Sequence, residues 1–163
     1  MTYKPDPDNE FSLWNEEEGF YFDAIQWGNC AQQLPIRSLV GLIPLYATLV
    51  LEPSTIDRFP GFKKRMEWFM NNRPEMAKRN MANIKGRGKS DRRLLALCDK
   101  DRLVKILEKM LDEEEFLSDF GIRSLSLYHR DHPYSMTVHG EKYEVAYWPG
   151  DSKSGMFGGN SNW

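Results

Sequence analysis

Leu39-Val40-Gly41-Leu42-Ile43-Pro44-Leu45-Tyr46-Ala47-Thr48-Leu49-Val50-Leu51 is the longest apolar run of the chain. Thr48 is its one polar interruption, so the run has no polar face. A helix that is apolar all round is buried inside a larger protein. The run therefore predicts an inner helix, with Pro44 at a kink or in the first turn and Pro53 as its end. At 13 residues it is too short to cross a bilayer.

On its C-terminal side the helical pattern is clearer. Pro60 suits a first helical position and Pro74 stops the segment. Between them Phe62, Met66, Phe69 and Met70 share one face at helical spacing, with Lys63, Lys64 and Arg65 mostly off it. Met76–Asn80 reads as a short continuation, 84–93 as a polar loop, and Leu94–Leu97 as apolar but ambiguous in type. Asp99 or Lys100 opens a third helix, whose stripe is Leu103, Ile106, Leu107, Met110 and Leu111. Acidic side chains are unfavourable at a helix C-terminus, so Asp112–Glu115 belong to the turn beyond it.

Extended structure is expected in short pieces. Glu16–Gly19 reads as a turn before an aromatic strand, Phe20-Tyr21-Phe22-Asp23. Phe120–Leu125 reads as a turn and a short strand. Met136–Val138 and Tyr143–Val145 flank His139-Gly140-Glu141-Lys142, a β-hairpin signal. Four glycines and Pro149 make 148–163 a loop.

Composition excludes several classes. With 163 residues, 28% charged and 13% aromatic, the chain is one domain or a piece of one, not a disordered tail. Cys30 and Cys98 make neither a disulfide framework nor a zinc site. No secretory signal follows Met1, and a cytoplasmic location is expected. Charge is blocked: 1–57 hold two basic and nine acidic side chains, 58–93 twelve and three, 94–163 eight and twelve. The basic block shares its segment with an apolar stripe and carries no nucleic-acid motif, so no nucleic-acid partner is expected.

Individual motifs weigh little. Gly86-Arg87-Gly88-Lys89-Ser90 looks like the end of a phosphate loop, but Asn83 stands where that pattern needs glycine. His129, His132 and His139 lack ligand spacing, so no metal and no cofactor is expected. Glu16–Glu18 read as a solvated acidic turn. Asp23, after three aromatics, is the carboxylate of greater interest, because sugar chemistry uses carboxyls beside a glycosidic bond. Phe157-Gly158-Gly159-Asn160-Ser161-Asn162-Trp163 ends on an aromatic just delivered by a glycine-rich loop. Both ends are read as cuts through a larger fold.

Several stretches carry a resemblance. Leu13-Trp14-Asn15-Glu16-Glu17-Glu18-Gly19-Phe20-Tyr21-Phe22-Asp23 resembles a segment of glycoside hydrolase family 63 and its mannosylglycerate-hydrolase-like relatives, with Asn15 where those proteins usually have Asp. Arg37–Leu45, Pro60-Gly61-Phe62, Glu67-Trp68-Phe69, Asn72-Arg73-Pro74, Gly121–Ser126 and Phe157–Trp163 resemble later segments in the same order.

The resemblance implies a mainly α fold, part of an (α/α)6 toroid with short β-hairpin insertions. It implies that residues 1–163 are a partial catalytic domain of an inverting α-glycosidase, truncated at both ends. Scaffold and part of a sugar cleft would lie in this chain, with Trp163, Asn160, Asp23 and Tyr21 as substrate-binding residues. Neither the acid nor the base of the family matches a position here, so no catalytic residue is assigned and the isolated chain is expected to be inactive. Its partners would be a carbohydrate substrate and the remainder of the catalytic domain, without a membrane. The rival reading is a non-catalytic carbohydrate-binding or interaction protein.

Overall fold

The apolar run Leu39–Leu51 is not a helix in the computed structural model of the chain, which describes residues 2–6, 9–74, 76 and 89–149. Leu39–Leu45 form a 3-10 helix with Pro44 inside it, and Thr48–Leu51 form a strand. Pro44 has no N–H to give an α-helical ladder. Beyond it Thr48 and Val50 are β-branched, which favours extended backbone. Burial is confined to Gly41 and Leu42 in the 3-10 helix, while Leu49 and Val50 are exposed.

The expected mainly α toroid is corrected with it. The described residues form twelve strands, paired as six two-stranded antiparallel ribbons. They are β1 (Thr2–Asp6) with β2 (Asn9–Ser12), β3 (Trp14–Asn15) with β4 (Phe20–Tyr21), and β5 (Asp23–Trp27) with β6 (Cys30–Leu34). The others are β7 (Thr48–Leu51) with β8 (Arg93–Ala96), β9 (Leu117–Ser118) with β10 (Gly121–Ile122), and β11 (Tyr134–Val138) with β12 (Glu141–Val145). Three α-helices lie wholly within the described residues, α1 (Pro53–Arg58), α2 (Pro60–Asn72) and α3 (Lys100–Met110), and Pro74 and Met76 are also helical. A helical hairpin needs two long apolar stripes, and among the described residues only α2 and α3 reach three turns. Elsewhere turn residues interrupt the apolar pieces after two to five positions, a length that suits strands.

The helix signals at Pro60, Pro74 and Lys100 fall where the helices begin and end. The hairpin near His139 is also present, longer than its apolar core suggested. His139 and Gly140 both have positive φ, 51° and 84°, as a two-residue turn of the primed type requires. Leu94–Leu97 resolve as β8 and the bend beyond it. Residues 77–80 of the expected short helix lie outside the described residues.

The chain divides into two units, Met1–Leu42 with Ile106–Trp163, and Ile43–Lys105. In the first, Leu34, Ile36, Leu125 and Val145 form a cluster, with Ile25, Tyr134, Met136 and Tyr147 packed against it. Phe20 and Phe116 are fully buried and stack at 5.7 Å. Gly41 touches this layer. A Cβ there would stand 2.2 Å from Phe20 Cε1 and 2.4 Å from the Tyr21 carbonyl oxygen.

The second unit has the β7–β8 ribbon, α1 and α2. Ile56, Met66, Ala96 and Cys98 are buried. Arg92 pairs with Glu52 and the Arg93 guanidinium donates to Met66 Sδ at 3.7 Å. Among the described residues no helix is long and apolar enough to cross a membrane.

Candidate functional site

The most developed polar constellation lies in the first unit and centres on Arg37. The residue follows Ile36 of the apolar cluster, and its backbone is clamped in place. Its carbonyl accepts from Ser126 N–H at 2.8 Å, and its own N–H donates to His129 Nε2 at 2.8 Å. The neighbouring Ser38 bridges to Leu125 in antiparallel fashion. The main chain is thus fixed on both sides.

Its guanidinium, mostly buried, donates to two carboxylates, Glu18 from one terminal nitrogen and Glu115 from the other. Glu115 is itself buried and also accepts from the Ser126 hydroxyl and, at 3.4 Å, from Lys109 Nζ. The Tyr128 ring lies 3.9 Å from the Arg37 guanidinium carbon, a cation–π contact, and stacks on His132 at 4.2 Å. A planar fork suits two carboxylates and a ring face in a way that a lysine point charge does not.

Glu115 is held there by its own turn. Arg123 Nη1 donates to the carbonyls of Glu113, Glu115 and Leu117, at 2.6, 3.3 and 2.5 Å. Leu127 N–H donates to the Glu115 carbonyl at 2.9 Å. The buried Arg123 Nε has no hydrogen-bond partner among the described residues.

His129 is fully buried, and both its ring nitrogens are occupied. Nε2 accepts from Arg37 N–H, so Nδ1 carries the proton and donates to the His132 carbonyl at 2.9 Å. Burial holds its pKa below the ordinary 6.5, the His132 carbonyl opposes this, and the nearby Arg37 charge adds to the lowering. Ser126 donates to Glu115 rather than to His129, and its oxygen accepts from Tyr128 N–H at 3.1 Å. Serine, histidine and glutamate therefore stand close together without the hydrogen bonds of a nucleophile–base pair. The constellation is a buried latch joining segments 18, 37, 115 and 126–129.

The sequence-predicted sugar residues are not part of it. Tyr21 is buried in β4, its ring edge-on to Trp14 at 4.9 Å. Asp23 opens β5 opposite Leu34 and is partly buried, which raises its pKa above the ordinary 3.8. Asn160 and Trp163 lie outside the described residues. Of the acidic turn Glu16–Glu18, read as solvated, Glu18 serves Arg37. Among the described residues no three His, Cys, Asp or Glu side chains come together as a metal site. Arg37, Glu115 and His129 were not singled out as one constellation by sequence, because no local spacing connects them. Arg37, one of two basic residues in the acidic stretch 1–57, was the one available signal.

The second unit presents a different surface. Leu49, Leu51, Ile56, Phe59, Phe62 and Leu95 line a hollow of about 720 Å³. A second, of about 470 Å³, shares Phe62 and Leu95 and is completed by Arg65, Met66, Trp68 and Phe69. Leu49, Phe59, Phe62 and Trp68 are each about half exposed. Contiguous apolar surface of this kind marks an interaction site or a ligand groove.

No family model matches the chain. It is 61% identical over 152 residues to YMR196W, an uncharacterized protein of Saccharomyces cerevisiae. The match covers 93% of this chain, which thus spans only 14% of that relative's length. No solved structure matches. The resemblance to glycoside hydrolase family 63 is corrected by these findings. No family model supports it, the relative's name carries no activity, and paired ribbons replace the toroid.

Proposed function

We propose that this chain works by association, as a non-catalytic scaffold segment of a larger protein. The observation that carries the reading is the half-exposed apolar face of the second unit, built from Leu49, Phe59, Phe62 and Trp68. It is supported by the relative, in which the similar stretch occupies a small part of a much longer polypeptide. Within this reading the Arg37 latch is structural. It holds the first unit together and leaves its polar groups paired rather than poised for chemistry. A cytoplasmic location belongs to the same proposal, supported by the two free cysteines Cys30 and Cys98.

The test is dye binding with the 163-residue chain. A hydrophobic dye should bind, and the double change Phe62→Ser with Trp68→Ser should remove most of its signal while the far-ultraviolet spectrum is kept. No dye binding by the unchanged chain would sink the reading.

A second reading keeps the carbohydrate expectation: the segment contributes scaffold and part of the sugar cleft of an inverting α-glycosidase. Asp23 favours it, as a partly buried carboxyl with a raised pKa in a hairpin beside Tyr21. A partly buried carboxyl beside aromatic rings offers an acceptor for a sugar hydroxyl. Inversion also needs a second carboxyl roughly 6.5–9.5 Å away, and the chain alone is expected to turn over no α-glucoside or α-mannoside. Turnover that is abolished by Asp23→Asn would replace the scaffold reading with a catalytic one.

A further inference from the structure

We infer that the apolar trough along α2 is a docking groove for an acidic amphipathic helix, an inference that rests on the association reading and names its partner. The two hollows adjoin through Phe62 and Leu95 and run along α2 from Phe59 to Phe69. Phe62 and Phe69 are seven residues apart on one helix, about 10 Å along its axis. A groove of that length spans about two turns of a docked helix. A concave trough with two separate hollows accepts two side chains from a narrow rod; a planar surface would leave them empty.

Charge chooses the sign of the partner. The second unit carries 15 basic and 7 acidic side chains across 43–105. Arg58 lines the first hollow and Arg65 the second, and both are exposed. Lys63 is occupied by Asp57 at 2.8 Å, while Arg58 and Arg65 have no ion pair among the described residues. Lys64 is exposed on the same helix. An apolar floor with guanidinium groups at its margin fits a helix whose apolar stripe is flanked by carboxylates, which would steer its approach and fix its orientation.

The experiment uses the 163-residue chain and two synthetic 18-residue helical peptides. Both carry Leu at positions i, i+3, i+4, i+7 and onward; one is flanked by Glu and the other by Lys. Titration should show the Glu peptide binding at least tenfold more tightly than the Lys peptide. Arg58→Glu with Arg65→Glu, both exposed and so expected to leave folding intact, should reverse that order. Phe62→Ser should weaken both peptides.

Equal binding of the two peptides to the unchanged chain overturns the acidic partner while leaving association standing. Failure of both peptides with dye binding intact also overturns it. Loss of dye and peptides together overturns the association reading itself. Stronger capture by phosphatidylserine vesicles than by the Glu peptide assigns the basic face to a membrane surface and overturns the helix.

Discussion

The first unit hides a charge network and the second shows apolar side chains, the reverse of the usual distribution. In the first, Arg37 and Glu115 are mostly buried, and Glu115 is shared among Arg37, Ser126 and Lys109. In the second, Phe59, Phe62 and Trp68 stand about half exposed over hollows. The difference teaches where each unit's stability and specificity reside. A buried charge network is a poor source of net stability compared with apolar packing, yet it is strongly intolerant of losing one member. An exposed apolar face contributes little to folding and much to association.

The sharpest way to break this contrast is Arg37→Ala. It leaves the buried Glu115 carboxylate with Ser126 and Lys109 alone, and a loss of about 3–5 kcal/mol is expected in urea denaturation. Arg37→Lys should recover only part of it, since it keeps the charge but cannot fork between Glu18 and Glu115. A loss below about 1 kcal/mol for Arg37→Ala would show that the latch is not load-sharing.

Gly41→Ala comes next. The added Cβ meets the Phe20 ring and, at 2.4 Å, the Tyr21 backbone, which cannot swing aside. Overpacking of this kind costs about 1–3 kcal/mol, read as a lowered melting temperature. A wild-type melting temperature would mean that the 3-10 helix shifts freely.

His129 sharpens the contrast through pH. Its folded pKa is depressed, so its neutral form is favoured in the folded state relative to the unfolded chain. Its contribution is fully present above the ordinary 6.5 and is lost as pH falls through that value toward the folded pKa. Stability should therefore decline on acidification below about pH 6.5. His129→Gln should flatten that slope by up to about one proton. An unchanged slope would place the titrating group elsewhere.

The smallest effect is expected at Trp68. Trp68→Ala removes a half-exposed ring and should change stability by no more than about 0.5 kcal/mol. The same change should reduce dye binding clearly. A large loss of stability would move Trp68 into the folding core and weaken the docking reading.

Local signals carried part of this fold well. Pro60, Pro74 and an apolar stripe define α2, and a second stripe defines α3. The positive-φ pair His139-Gly140 closes β11 and β12, and the turn at Glu16–Gly19 separates β3 from β4. Hydrophobic period and turn chemistry are read within about ten residues of sequence. Those features survive whatever the rest of the chain does.

The fate of Leu39–Leu51 was decided otherwise. An apolar run has no period to distinguish a buried helix from a strand. Its second half became β7 because Arg93–Ala96, more than forty residues on, supply the ladder. Its first half became a 3-10 helix with Gly41 beneath Phe20. The candidate site was hidden for the same reason. Arg37 meets Glu115 across 78 positions and His129 across 92. By itself the sequence determined where short elements start, stop and turn, since those depend on each residue's own dihedral and hydrogen-bonding limits. Only the tertiary structure decided which carboxylates are buried with Arg37 and which apolar side chains remain uncovered, because both depend on partners that chain order does not place together.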